Sequence, residues 1–202
     1  MEILVSEIER LREHFDEIDN CREKAYPLAR ELRRLSVQAV RDIQRGKFDA
    51  ARELIDTSRE IARELNNSAH QFGFSLEAHQ EYTEAAFTLA LITRAPLPTQ
   101  EELCTNERGY LMGLADTIGE LRRHVLNLLR EDRVDEAVEY MDLMDDLHSM
   151  MMKFDYTDAV LPLRRKQDQF RGIIERTRAD LTTIICQKRL EKKLDLYSAE
   201  NS

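Results

Sequence analysis

The chain has 202 residues, of which 34% are charged and 42% apolar, with six glycines, four prolines, no tryptophan and a formal net charge of −9 at pH 7. That length can bury one core without staples, and so few turn formers with hardly a strand candidate exclude a β-rich fold. The negative net charge excludes nucleic-acid binding by the surface as a whole, so a polyanion would have to meet a local basic patch or a bridging cation.

In chain order, Ile8, Leu11, Phe15 and Ile18 recur at helical spacing, and after Pro27 the series Leu28, Leu32, Leu35, Ala39 and Ile43 resumes it up to Gly46. This predicts a first helix, kinked or broken near Pro27, where the ring removes a backbone donor. A second helix is expected over 48–65, closed by Asn66, Asn67 and Ser68, and a third over 74–94, ended by the two prolines of APLP (95–98). Further helices are expected over 106–130, 134–154 and from about Pro162 to Tyr197. The junctions RGKFDAARELI (45–55) and EDRVDEAVEYM (131–141) look alike, each a small polar turn before an amphipathic start. Two such copies are generic helical-hairpin chemistry, too few for a solenoid. The expected architecture is a single all-α domain over 1–202, an antiparallel bundle of six or seven helices.

Cys21, Cys104 and Cys186 lie far apart and form no CxxC pair, which implies neither a zinc site nor a disulfide framework. No apolar run of signal-peptide length opens the chain, and none approaches the roughly 18 residues of a membrane span, so a soluble cytoplasmic protein without a membrane partner is expected.

The third predicted helix is apolar on nearly every side in its C-terminal half, yet it carries Glu77, Glu81 and Glu84 at intervals of four and three, pointing one way. With no Lys or Arg between Arg63 and Arg94, these acids have no cation on their own helix, and their repulsion should raise a pKa or recruit a cation. The fourth predicted helix carries Asp116 and Glu120 on one face, which it shares with Gly109 and Gly113. An interior glycine costs a helix about 1 kcal/mol, so that face should meet another helix or a ligand closely. Converging Glu81, Glu84, Asp116 and Glu120 would be hard oxygen ligands for Mg²⁺ or Mn²⁺, and such ions promote phosphodiester hydrolysis. On spacing alone, a solvated or salt-bridged stripe is the commoner use of such acids.

QEYTEAAF (80–87) and GYLMGLADTIGELRR (109–123) resemble the two most distinctive segments of the translin/TRAX family, in its nuclease-type subunit: a helix with two acids three residues apart, and a helix reading G-x-x-D-x-x-G-E-L-x-R. The resemblance extends loosely over most of the chain, including residues 30–52 and 163–181. It implies that Glu81 and Glu84 stand at the paired catalytic glutamates, Asp116 at the catalytic aspartate and Glu120 at an adjacent acid. It further implies an endoribonuclease dependent on Mg²⁺ or Mn²⁺, preferring single-stranded RNA, within a homo-oligomeric, octamer-like shell. The chain is shorter than the animal proteins and lacks their basic N-terminal extension, and so looks like a compact prokaryotic or archaeal member. One alternative within the family is a non-catalytic shell that binds RNA or single-stranded DNA. A carboxylate-bridged di-iron protein ranks last, because no E-x-x-H occurs in the chain.

Arg30, Arg34, Arg41 and Arg45 line one side of the first helix, with Arg33 beside them, over about 22 Å at 1.5 Å per residue. Between Pro27 and Gly46, five arginines stand against Glu31 and Asp42. The stripe reads either as a solvated face or as an RNA-binding one, and family members line an internal cavity with basic residues. The second basic run, 164–178, is interleaved with Asp168 and Glu175 and reads as a salt-bridged exterior. Met141, Met144 and Met150 to Met152 read as core, and Ile174, Leu181, Ile184 and Leu194 as a C-terminal seam for self-association. His79 and His124 are expected to have ordinary core or surface roles.

Overall fold

The computed structural model describes residues 1–67 and 72–200, within which the chain is all-α. The helices are α1 (Glu2–Ile43), α2 (Phe48–Asn66), α3 (Gly73–Ile92), α4 (Gln100–Leu103), α5 (Glu107–Arg130), α6 (Val134–Met151) and α7 (Arg164–Glu200). They fall into two compact units, 1–114 and 115–202, divided within α5.

In the first unit, α1, α2 and α3 pack on one another. Small side chains on α1 (Ala25, Ala29, Ala39) alternate with Leu32 and Ile43 and meet Ala51, Ile55, Ala62 and Leu65 of α2 and Ala78, Tyr82, Ala85 and Leu89 of α3 in one buried cluster. Alanines at the contact let helix axes approach closely, and the larger residues fill the gaps between them. Two buried hydroxyls, one on α1 and one on α2, are satisfied within their own helices: Ser36 donates to the Leu32 carbonyl at 2.7 Å and Ser58 to that of Leu54 at 2.8 Å.

Of the kink or break expected at Pro27, the break does not occur: α1 continues through it as one helix. Pro27 and Glu23 are both exposed, so the Glu23 carbonyl that loses its donor turns to solvent. Ahead of Ala25, α1 leaves Ile3, Ile8 and Phe15 exposed. A second departure is α4, a single turn opened by a capping box in which the Thr99 hydroxyl accepts from the Glu102 amide and the Glu102 carboxylate accepts from the Thr99 amide. The T-x-x-E pattern was legible there.

The two look-alike junctions share one backbone. Gly46 has φ +74° and Asp132 φ +66°, and the residues after them have nearly identical angles (Lys47 φ −88°, ψ 62°; Arg133 φ −94°, ψ 62°). Lys47 N–H donates to the Asp42 carbonyl and Arg133 N–H to that of Leu128, both at 2.9 Å, the Schellman arrangement that satisfies the last carbonyls of a helix.

In the second unit, Ile118, Leu121, Val125 and Leu128 of α5, Ala137, Met141, Met144 and Met151 of α6, and Phe170, Ile174 and Leu181 of α7 are buried. Met141, Met144 and Met151 are therefore core, as expected, while Met150 and Met152 are exposed. Gln167, buried at the start of α7, donates to the carbonyls of Met151 (2.8 Å) and Phe154 (2.9 Å) and so ties down the segment that leaves α6. Along α7 the seam divides: Ile174 and Leu181 are buried, Ile184 is half-buried and Leu194 is exposed.

Candidate nucleic-acid interface

Leu32, Leu35 and Ala39 turn one side of α1 into the core, which leaves its arginines on the opposite side. There Arg30, Arg33, Arg34 and Arg41, with Val37 and Gln38, line an open cleft of about 430 Å³, and one residue from another helix completes it, Glu81 of α3. The arginine stripe is thus a concave surface with a carboxylate in its wall. Arg45 lies beyond the end of α1, in the turn to α2, and is not part of the lining.

Arg33 reaches Glu81 through Nε at 3.0 Å and a terminal nitrogen at 2.8 Å, both on Oε1, and its other terminal nitrogen reaches Glu77 at 3.4 Å. The hydrogen bond that Arg33 donates to Glu81, and next the Glu81 charge, hold the Arg33 pKa above the ordinary guanidinium value. The acids of α3 therefore do recruit a cation, supplied by a residue 48 positions away in sequence. Glu81 Oε2 is buried and has no hydrogen-bond partner among the described residues. Arg34 is gripped within its own helix by Glu31 at 2.6 and 2.8 Å. Arg30 and Arg41 make no ion pair among the described residues, so their charge is open to a ligand.

Glu84 lies on α3, half-buried, one turn beyond Glu81. It sits where α5 crosses: a Cβ on Gly113 would stand 2.9 Å from the Glu84 amide, 2.4 Å from the Gln80 carbonyl and 2.6 Å from Thr83 Cβ. Gly109 is pressed in the same way, with His79 Cβ 2.6 Å from the place its own Cβ would take. The costly glycines of α5 are thus explained by close approach to α3.

Asp116 and Glu120 belong to the second unit. Asp116 accepts a hydrogen bond from the Lys166 ammonium, both side chains being about four-fifths buried. Glu120 is half-buried, with Arg123 4.0 Å away. Lys166 comes from the run read as a salt-bridged exterior, and no one-dimensional signal separates it from Arg164 and Arg165 beside it. Arg178 in the same run pairs with Asp145 at 2.7 Å, as that reading expects. Among the described residues, no three His, Cys, Asp or Glu side chains are grouped so as to hold a metal ion.

The protein MJ0175 of Methanocaldococcus jannaschii is 35% identical to the chain over 199 residues, 95% of this chain and 89% of its own. Two AfC3PO structures, one of them a complex with duplex RNA, match with TM-scores of 0.80 and 0.79 at 26% and 28% identity, over 89% of this chain and 97% of theirs. These C3PO structures are of translin/TRAX type and support the translin family for this chain. Apo-NeC3PO shares the translin-family fold at a TM-score of 0.76 and 19% identity, over 88% of this chain and 96% of its own. No protein-family model matches the chain. Within this translin-family fold, α1 supplies the cleft and α3 its acidic wall.

Proposed function

We propose that this translin-family chain is an endoribonuclease dependent on Mg²⁺ or Mn²⁺, in which Glu81, Glu84 and Asp116 are the metal-binding and catalytic set and Glu120 is a fourth ligand or a neighbour to them. The observation that carries the reading is the cleft that joins four arginines of α1 to Glu81. A related fold, AfC3PO, holds duplex RNA, which supports a nucleic acid as ligand. The donor set suits a hard cation: the four acids offer only carboxylate oxygens, and Glu81 Oε2 is a buried oxygen still without a partner. A bound Mg²⁺ or Mn²⁺ supplies Lewis acidity and neutralises charge on a phosphodiester. The chain's own residues do the rest: Arg30 and Arg41 bind phosphates, Arg33 orients Glu81, and Lys166 holds Asp116. Exposed Ile3, Ile8 and Phe15 on α1 and Leu190, Leu194 and Tyr197 on α7 support assembly into a homo-oligomer.

The test is incubation of labelled single-stranded and duplex RNA with the protein in Mg²⁺, Mn²⁺ or EDTA. Cleavage is expected only with a metal, and Glu81→Ala, Glu84→Ala and Asp116→Ala should abolish it while RNA binding persists. RNA that is bound but intact in both metals would favour a second reading, a non-catalytic shell that binds RNA or single-stranded DNA. That reading draws on the basic residues already seated on two of the acids, Arg33 on Glu81 and Lys166 on Asp116.

A further inference from the structure

α1 and α3 run side by side in the same direction. Arg33 meets Glu81 and, two turns nearer the start of each helix, Tyr26 meets Phe74, the members of both pairs being 48 positions apart. At about 100° per residue, Tyr26 falls within about 40° of Arg30, Arg33 and Val37, so it stands on the arginine face of α1, about 6 Å along the axis from Arg30 and about 10 Å from Arg33. The seam that carries the arginine cleft thus continues past Arg30 and ends in aromatic side chains.

Tyr26 is 45% exposed. Phe74 meets it edge to face, with ring centroids 5.3 Å apart and planes at 89°, and is itself half-buried against the core of the first unit. Phe72 stacks on Phe74 at 5.2 Å with planes 9° apart. The Tyr26 ring is therefore braced by aromatic side chains anchored in the core, while much of its own surface is open to solvent. Glu81 is the main cause of the raised Arg33 pKa and Tyr26 a lesser one, which sets the phenol near the guanidinium that holds Glu81. What such a ring can bind follows from its surroundings. Arg22, Glu23 and Arg30 beside it are exposed and charged, and Phe15, the exposed aromatic nearer the start of α1, is about 16 Å away along the axis. One ring among charges falls far short of the roughly 800 Å² that each side of a stable protein interface buries. It does match one nucleobase, which offers a π-face whatever its identity and carries a phosphate within reach of Arg30 or Arg33.

We propose that Tyr26 is a stacking platform for one unpaired nucleobase of a strand whose phosphates lie along Arg30, Arg33 and Arg41. The proposal rests on the nucleic-acid ligand of the function proposed above and not on catalysis. A base inside a duplex is already stacked and shows only its edge, so Tyr26 acts on single strands and unpaired ends and not on the interior of a duplex.

The experiment is titration of the full chain in EDTA, which holds RNA intact, with a short single-stranded RNA, the same strand without its bases, and a blunt duplex. Tyr26→Ala, Tyr26→Phe and Arg41→Ala are compared with wild type by fluorescence anisotropy, with circular dichroism as the check on folding and light scattering on mass. Tyr26→Ala is expected to weaken single-stranded binding about tenfold without altering its salt slope, whereas Arg41→Ala reduces the slope. Tyr26→Phe, which keeps the π-face, should stay within about twofold of wild type, and duplex affinity should change by less than about twofold in either Tyr26 variant. The base-free strand should bind wild type and Tyr26→Ala equally. RNA that wild type does not bind at all overturns the function proposed above and the platform with it. Binding that depends on Arg41 and is unchanged by Tyr26→Ala overturns the platform alone. Equal losses in Tyr26→Phe and Tyr26→Ala would assign the effect to the hydroxyl, and a fall in mass with Tyr26→Ala would assign the ring to a contact between copies; either result overturns the proposal.

Discussion

Arg33 of α1 and Glu81 of α3 meet through two nitrogens on a single carboxylate oxygen, at 2.8 and 3.0 Å, and the other oxygen of Glu81 is left buried without a partner among the described residues. The pair is partly solvated, so it should contribute at most about 1 kcal/mol of stability, and its consequence lies in binding. Glu81→Gln is expected to leave thermal stability nearly unchanged, to abolish metal-dependent cleavage, and to raise RNA affinity roughly threefold in EDTA, because one anion leaves the cleft. Fluorescence anisotropy in EDTA checks this. Weaker binding by the variant would make Glu81 only a clamp for Arg33.

The cleft also ranks the arginines. Arg30 and Arg41 carry open charge, whereas Arg34 is held by Glu31 and Arg45 is outside the lining. The double variant Arg30→Ala/Arg41→Ala should reduce the slope of log K against log salt by about 1.5 to 2, the release expected for two phosphate contacts. Arg45→Ala should change it less than either single substitution. A slope that Arg30 and Arg41 do not affect would mean that RNA does not follow α1.

Two glycines of α5 should respond in opposite directions. Gly113→Ala would drive a Cβ to 2.4 Å from the Gln80 carbonyl, a clash with backbone that cannot be relieved by a rotamer change, and should destabilise by about 3 kcal/mol or more. Gly119 has nothing within 4 Å of that position, so Gly119→Ala should stabilise by about 1 kcal/mol through helix propensity alone. Urea unfolding of both variants is the check, and equal effects would mean that the α3–α5 contact is looser than described.

Burial of His79 lowers its pKa from 6.5 to about 4. Its neutral form is favoured in the folded state, so the associated stability is fully present above about pH 6.5 and is lost as the pH falls toward 4, by up to about 3 kcal/mol. Wild type should therefore lose stability between pH 7 and pH 4.5 more steeply than His79→Gln, measured by urea midpoints. Parallel profiles would assign the acid sensitivity to other groups.

Lys166 competes with any cation for Asp116. Lys166→Met should strengthen Mn²⁺ binding several-fold, as followed by electron paramagnetic resonance, because the carboxylate loses its resident positive charge. Unchanged Mn²⁺ affinity would remove Asp116 from the metal set.

Much of this protein follows from local pattern. The all-α class, the helix limits at Gly46 and Pro96, the buried character of α3 and the close contact demanded by Gly109 and Gly113 rest on periodicity and on the steric rules for glycine and proline, which act over one or two turns. The stripe of Arg30, Arg34 and Arg41 was legible for the same reason, since 3.6 residues per turn determine which side chains share a face. Of the two outcomes expected at Pro27, a kink or a break, the break does not occur, because its cost depends on whether the orphaned carbonyl faces water, and that is decided by packing. Only the tertiary structure could bring Arg33 to Glu81, Lys166 to Asp116, and Tyr26 to Phe74. These pairings join residues 48 to 50 positions apart in the sequence, and they form because the alanine-lined faces of α1 and α3 and the core joining α5 to α7 bring distant helices within side-chain reach.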